Sequence, residues 1–340
     1  MLEEGAIVGS EIDDPSDWDP LNRIVAHAEG DLGVGIAKQN NYVVAIKQWT
    51  TEFFYDNSNP TGSPLARYSA AFLNYGAASG ESIAEIDGTL LWVATNRSES
   101  PHVVRLDDLK LNIVSTPPID RILESLGRQD MFAFTVKIAG HRFYVLNIDA
   151  QLGFSLVYDL DQNFWYFWND SDSDATEGYW PFVGVTFSSD GRHVAQHVTD
   201  GTLYAIAADY LYPVDYGILT GDGITDGFVP TVDIYTPNMD FSVNRIKTLF
   251  ALYFNADRQQ GTRVLSTSLG QAPGGNFLYS RRSDDDYQHW SSFRTVNLDN
   301  KRPFITNEGS FHRRAYHFRH ESPEPLRLKT IDMLPSLGTL

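Results

Sequence analysis

Two groups of side chains in this sequence have the types and spacings from which chemistry is built. Asp170, Asp172 and Asp174 alternate, with Glu177 just beyond, in the way calcium loops offer carboxylates to a hard cation. The spacing departs from an EF-hand, because the sixth loop position is Ala175 instead of glycine and the twelfth is Pro181 instead of glutamate. A solvated acidic turn is therefore expected there, with Asp170, Asp172 and Asp174 as weak metal candidates. His312, His317 and His320 form the second group. Along one strand His312 and His320 share parity while His317 faces the other way, so at most two converge on an ion, and exposed or interface histidines are the expected reading.

The motifs of nucleophilic, phosphate-binding and zinc catalysis are missing from the sequence: it contains no G-x-S-x-G, no G-x-x-x-x-G-K-[ST] and no H-E-x-x-H. Ser283, Asp285 and Trp290 stand where an Asp-box turn places its serine, aspartate and tryptophan, a hairpin device that looks like those of sialidase-type propellers. Tyr287 occupies the position where that turn normally needs glycine, and a β-turn pinned by a packed indole is expected in place of a substrate site. The run Phe164, Trp165, Tyr166, Phe167 and Trp168 suggests a sugar platform, but alternation sends half of it inward, giving one core face and one face packed on a neighbouring blade or subunit. No enzyme activity and no cofactor are expected. A glycosidase needs only two acids brought together in space, which keeps a carbohydrate-binding or glycoside-cleaving propeller as the alternative.

The elements that position these residues recur. Ile86, Asp87, Gly88, Thr89 to Val93 lead after a gap to Val103, Val104, Arg105, Leu106 and Asp107, and Ile138, Ala139, Gly140, His141 to Val145 lead to Ser155 through Asp159. The turn glycine and the closing aspartate keep the same spacing. Fainter copies begin at Asn41 and at Asp190, making four units of about fifty residues, a propeller-blade length. Short β-branched and aromatic runs between Gly35 and Ala208, cut by Asp-Gly, Ala-Gly and Asn-rich turns, predict antiparallel hairpins. One connector helix is expected over Pro118 to Leu126, capped by Thr116. The fold class is all-β: blades over 1–208, a linker or long loop over 209–237 rich in Gly, Asp, Thr and Pro, and an antiparallel sheet, sandwich or further blades over 238–340. The opening Glu11 to Trp18 reads as an acidic loop anchored by one indole.

With 340 residues, 42% apolar and 13% aromatic, the chain can bury a substantial core without staples, and it has no cysteine for disulfides or thiolate metal sites. Its start has neither the basic nor the apolar region of a secretory signal, and no apolar run reaches membrane-spanning length. A net charge of -18 repels phosphate and argues against a protein that grips nucleic acid by neutralising its backbone. The basic residues cluster late, at Arg281, Arg282, Arg294, Lys301, Arg302, Arg313, Arg314 and Arg319, while the repeats carry most of the acid.

Between the repeats lie Thr50 through Tyr55, Gly62 to Leu65, Gly76 and Ala77, then Ile113, Ser115, Thr116, Pro117, Ile119 and Asp120. In this order they resemble the packaged-DNA stabilisation proteins of short-tailed phages, tail hub or nozzle components. Asp14, Pro15, Asp17, Trp18 and Asp19 are similar to that family's early segment, and Arg313, Arg314, Phe318 and Arg319 with Ser322 and Pro323 to its C-terminal sheet. The resemblance implies a virion protein, assembled in the host cytoplasm into a ring of copies, hexameric in the family. Such a ring sits below the portal or adaptor, meets other tail proteins and lets double-stranded DNA pass without tight binding. It also implies strands ahead of the Asp-Pro-x-Asp-Trp segment, so a strand from Leu211 to Thr236, or from a neighbouring chain, is expected to complete the first blade. Arg281, Arg282, Arg313, Arg314, Trp165 and Trp168 are the interface candidates.

Overall fold

The computed structural model describes residues 5–11, 14–59, 62–125, 131–138, 140–148, 154–171, 177–179, 182–187, 193–197, 201–206, 231–243, 245–256, 276–321 and 326–337. Contacts divide the chain into two compact units, Met1–Ala208 and Asp209–Leu340.

The first unit is a series of antiparallel sheets. β1 (Ala6–Val8) and β2 (Arg23–Val25) pair with each other. β3 (Gly33–Gln39), β4 (Tyr42–Lys47), β5 (Thr51–Asp56) and β6 (Leu65–Leu73) form the first blade in that order. The second blade holds β7 (Gly76–Ala77) and β8 (Ala84–Ile86) on one edge of β9 (Thr89–Thr95), with β10 (His102–Asp107) and β11 (Lys110–Ile113) beyond. Helix α1 (Pro117–Ser125) follows, one residue ahead of its predicted span, and begins where the Thr116 carbonyl accepts the Asp120 N–H at 2.9 Å. The third blade runs β12 (Phe132–Ile138), β13 (His141–Asn147), β14 (Ser155–Asp159), β15 (Phe164–Ser171) and β16 (Glu177–Tyr179). β17 (Phe182–Phe187), β18 (His193–His197) and β19 (Leu203–Ile206) make the fourth sheet. The four sheets coincide with the four repeats.

A blade is apolar on both faces, because alternate residues of each strand face opposite neighbours. In β9, Leu90, Trp92 and Ala94 pack with Val44, Ile46 and Phe53 of the first blade. Leu91 and Val93 instead join Tyr144, Leu146, Leu156 and Tyr158 of the third, with Ile119 and Leu123 of α1 closing the gap. On the far side of the third blade, Val136, Val145 and Val157 meet Phe182 and Val185. First strands of successive sheets lie side by side, β12 between β8 and β17. Backbones approach so closely at the first joint that only glycine fits: a Cβ on Gly76 would lie 2.2 Å from the Lys47 carbonyl oxygen and 2.4 Å from the Trp49 nitrogen.

The second unit is a two-sheet sandwich. Its strands are β20 (Thr231–Tyr235), β21 (Lys247–Ala256), β22 (Phe277–Ser283), β23 (Arg294–Asn297), β24 (Phe304–Phe311), β25 (Ala315–Glu321) and β26 (Leu328–Leu337). One sheet has the order β20-β25-β22-β23 and the other β24-β21-β26. Leu249, Leu252 and Phe254 from one sheet pack on Leu278, Tyr316 and Phe318 from the other.

Two expectations change here. Residues 231–235 of the expected linker form β20, which pairs with β25 of the sandwich from Thr231↔Glu321 to Tyr235↔His317 and so does not supply an edge to the first blade, whose described strands all come from Gly33–Leu73; residues 211–230 lie outside the described residues. Strand formation also starts earlier than Gly35, at β1. The sequence also offers Arg263–Ser268 as a strand to pair with Leu249–Phe254, and that run lies outside the described residues. Among the described residues no helix is long and apolar enough to cross a membrane.

Gly76→Ala is expected to lower unfolding free energy by about 2–3 kcal/mol in urea titration, since backbone at the first joint cannot yield as a side chain can, while Gly9→Ala, with nothing within 4 Å of the added carbon, stays within about 0.5 kcal/mol.

Candidate functional site

The constant spacing from turn glycine to closing aspartate is a hydrogen-bonded clasp. In the second blade Thr89 Oγ1 donates to Asp107 Oδ1 at 2.8 Å, and in the third His141 Nδ1 lies 2.8 Å from Asp159 Oδ2. Each clasp ties the start of the second strand to the end of the third. Blades are then stitched tip to tip. Asn40 Nδ2 donates to Asp108 Oδ1 at 2.8 Å and Gln39 Nε2 to the Leu106 carbonyl at 2.7 Å, while Lys137 Nζ meets Asp87 Oδ1 at 2.5 Å and Thr135 Oγ1 donates to the Glu85 carbonyl. His141, Asp159 and Asp161 place ligand atoms within 4.8 Å of one another. Each is already engaged: Asp159 Oδ1 accepts the Asp161 and Gln162 N–H groups, and Asp161 is pulled below the ordinary carboxylate range by hydrogen bonds from the Arg142 side chain and backbone.

A buried ionic knot lies where the chain enters the first blade. Lys47 Nζ sits 2.8 Å from Asp31 Oδ1 and 3.0 Å from Glu52 Oε1, and donates to the Glu29 carbonyl at 2.7 Å; the Lys47 and Glu52 side chains are fully buried. Arg67 Nε meets the other Glu52 oxygen at 2.9 Å. Asp31 Oδ2 accepts the N–H groups of Trp49 and Thr50. Burial alone raises the Asp31 carboxyl, but the Lys47 hydrogen bond, the Trp49 N–H and the Lys47 charge outweigh it and hold the group below its usual value.

In the sandwich the late arginines form a second polar assembly. Arg314, almost fully buried, forks onto Asp284 at 2.6 and 2.8 Å, donates to the Glu308 carbonyl and lies 4.1 Å from the Phe311 ring centroid. Arg282 and Arg294 share buried Glu308, and Arg313 pairs with Asp286. The Asp-box-like turn is built as a turn: Tyr287 N–H donates to Ser283 Oγ, and the His289 N–H, the His289 ring and the Ser283 hydroxyl bond Asp285 and draw it down to about 2. Tyr287 has φ 68° in the left-handed region, where glycine is usual. The turn folds Trp290 and Phe293 against His317 on the outer face of the sheet. There Arg281 Nε donates to His317 Nδ1 at 2.7 Å, His317 Nε2 meets Asp233 Oδ1 at 2.5 Å, and Tyr235 stacks on the imidazole at 4.1 Å.

A family model described as bacteriophage P22 Gp10, β-propeller, matches residues 1–210, the whole of the blade unit. The chain belongs to this phage stabilisation family. No curated protein matches the sequence. Solved structures give only faint likenesses: the AfRom2 CNH domain at 12% identity, covering 57% of this chain and 59% of that one, TM-score 0.25. A Bombyx mori GH32 β-fructofuranosidase matches at 10% identity over 92% and 81%, TM-score 0.26, and a Trypanosoma rangeli sialidase mutant displaying trans-sialidase activity at 11% over 86% and 65%, TM-score 0.27. The chain thus spans under two thirds of the CNH chain, and similarity this low carries no argument about activity.

The residues on which the resemblance rests in the sequence make structural contacts here. Glu52 closes the ionic knot, Thr51 Oγ1 donates to the Tyr75 carbonyl, Gly76 makes the tight approach, the Val103 N–H donates to Ser115 Oγ, and Asp120 meets His102 Nδ1 at 3.0 Å. Asp170 is in β15 paired with Gly178, and Asp172 and Asp174 lie outside the described residues. Trp165 and Trp168 are half-buried on opposite faces of β15, Trp165 donating from Nε1 to the Val114 carbonyl at 2.9 Å and Trp168 packing beside Phe143. His317 and His320 are buried, against the expectation of exposure, because the turn covers the first and the sandwich core encloses the second; His312 uses its carbonyl to accept from Lys247. Trp18 is 58% exposed, and among the described residues its indole bonds to the Pro15 carbonyl alone, so it closes its own loop. Sequence reasoning missed the Lys47 knot, whose signal was a lysine ending the apolar run of β4.

Lys47→Met leaves Asp31 buried without its cation and Glu52 with Arg67 alone, and is expected to cost about 3–5 kcal/mol, read by urea unfolding at pH 7. Burial lowers the pKa of both His317 and His320. A depressed histidine contributes stability above its unfolded value, about 6.5, and loses it as pH falls through the folded value. Thermal scans should show stability declining from about pH 6.5 downward in the parent, with the decline reduced in His320→Gln.

Proposed function

We propose that this protein is a structural tail component, a hub or nozzle whose copies form a ring below the portal or adaptor and line or close the DNA exit channel. The carrying observation is the family match over all four blades. Charge supports it: residues 1–208 hold 29 acidic against 12 basic residues, so the blade unit faces duplex with a repulsive field. A wall that neutralised phosphates would release counterions, bind the duplex and retard its passage. Clasps and stitches that lock hairpin tips suit a part that transmits load and does no chemistry. Its partners in this reading are its own copies, the portal or adaptor ring and other tail proteins, in a virion assembled in the host cytoplasm. Sixfold symmetry is carried over from the family resemblance.

Fluorescence anisotropy with a labelled 30-base-pair duplex at about 0.15 M salt is expected to give a dissociation constant weaker than about 100 μM, the loose end of non-specific binding. Binding tighter than about 1 μM with a steep salt dependence would overturn the channel-wall reading.

A further inference from the structure

Arg281 is the one arginine on the strands β22, β23 and β25 that has no carboxylate partner among the described residues. Arg282 and Arg294 share Glu308, and Arg319 forks onto Asp233 at 2.8 and 3.0 Å. Arg281 is nevertheless held firmly. Its Nε donates to His317, and its guanidinium lies 5.1 Å from the Trp290 ring centroid and 4.6 Å from that of Phe293. His317 is fixed in turn by Asp233 and by the Tyr235 ring, stacked at 9°. The result is a planar cation with its inner edge bonded and its terminal nitrogens without a protein partner among the described residues, rimmed by Tyr235, which is 55% exposed. Nearby acids are committed: Asp233 to Arg319 and His317, Asp284 to Arg314, Asp285 to its own turn and Asp286 to Arg313. A guanidinium fork of this kind matches a carboxylate, and aromatic walls match an aromatic ring.

The blade unit displays the complementary pair. The loop after β1 carries Asp17 and Trp18 side by side, both exposed, Trp18 at 58%. Asp14 and Asp19 are consumed by their own turns, accepting from Ser16 and from the Leu21 N–H. The Asp17 carboxylate makes no bond among the described residues. Residues 209–340 hold 15 acidic and 14 basic residues against the strong acid excess of 1–208, so unlike units attract when copies meet. Tryptophan and arginine are also the residues that dominate the energy of protein interfaces.

We propose that Arg281, with Trp290, Phe293 and Tyr235, is a socket for Asp17 and Trp18 of a second copy of this chain. The proposal rests on the ring reading above, and it makes the contact heterologous, one patch meeting a different patch, as a closed ring requires.

Two measurements on the full chain test it. A fluorescein-labelled peptide of residues Asp14 to Leu21 is expected to bind the parent in the micromolar range and Arg281→Gln at least tenfold more weakly, with exposed Arg302→Gln within twofold of the parent. In sedimentation velocity the parent is expected to self-associate, while Trp18→Ala with Asp17→Asn, and separately Arg281→Gln, stay monomeric; mixing the two variants restores one intact contact and yields a dimer. Self-association of Arg281→Gln equal to the parent, or peptide binding indifferent to that change, overturns the socket and leaves the ring standing. A parent that is monomeric at every concentration overturns the ring, and the inter-copy contact with it.

Discussion

A propeller blade buries both of its faces, so no blade in this protein has a core of its own. The four sheets gain their apolar burial from one another, from α1 and, on the far face of the first blade, from Ile7, Ile24 and Ala26 of the β1–β2 segment. Strand β9 shows the constraint in a single segment, since all seven of its residues are buried and alternate residues belong to different inter-blade cores. Such an arrangement tolerates little variation in spacing. The close approach at Gly76, the α1 residues Ile119 and Leu123 wedged between the second and third blades, and the hydrogen bonds between hairpin tips are three solutions to the same problem.

Ionic groups enter where apolar packing alone would leave register loose. Hydrophobic contact is non-directional, whereas the Lys47 knot demands that segment 26–31, strand β4 and strand β5 meet in one geometry. Burying such a cluster need not raise stability over an apolar alternative, but breaking one member is costly, so it acts against misplacement. In the sandwich, Glu308 and Asp284 do the same with Arg282, Arg294 and Arg314, fixing the turn that covers His317.

Much of this was legible in the sequence for physical reasons. Hairpins announce themselves through Asp87-Gly88 and Ala139-Gly140, and the clasp of Thr89 to Asp107 and His141 to Asp159 produces a spacing that can be read without coordinates. The connector helix was readable from its prolines and from Ile119 and Leu123. What escaped were contacts between residues far apart in the chain: Asp31 with Lys47, Gln39 with Leu106, Asp233 with His317 and Arg319. Alternation correctly separated His317 from His320, yet it could not reveal that a loop from 283 to 293 folds over the outer face and buries the former. For the same reason β20, whose partner β25 lies some eighty residues on, looked like part of a linker.

Lys247 has a further consequence. Its buried ammonium gathers the carbonyls of Val243, Arg245 and His312 at 2.5, 2.9 and 2.7 Å, a ring of oxygens of the sort that loops elsewhere assemble around a dissolved ion. Here the ion is tethered to β21. It cannot be chelated, exchanged or diluted away, and its ligands do not titrate. A particle that leaves one medium for another of different mineral content therefore keeps this corner of the sandwich shut without carrying any supply of metal.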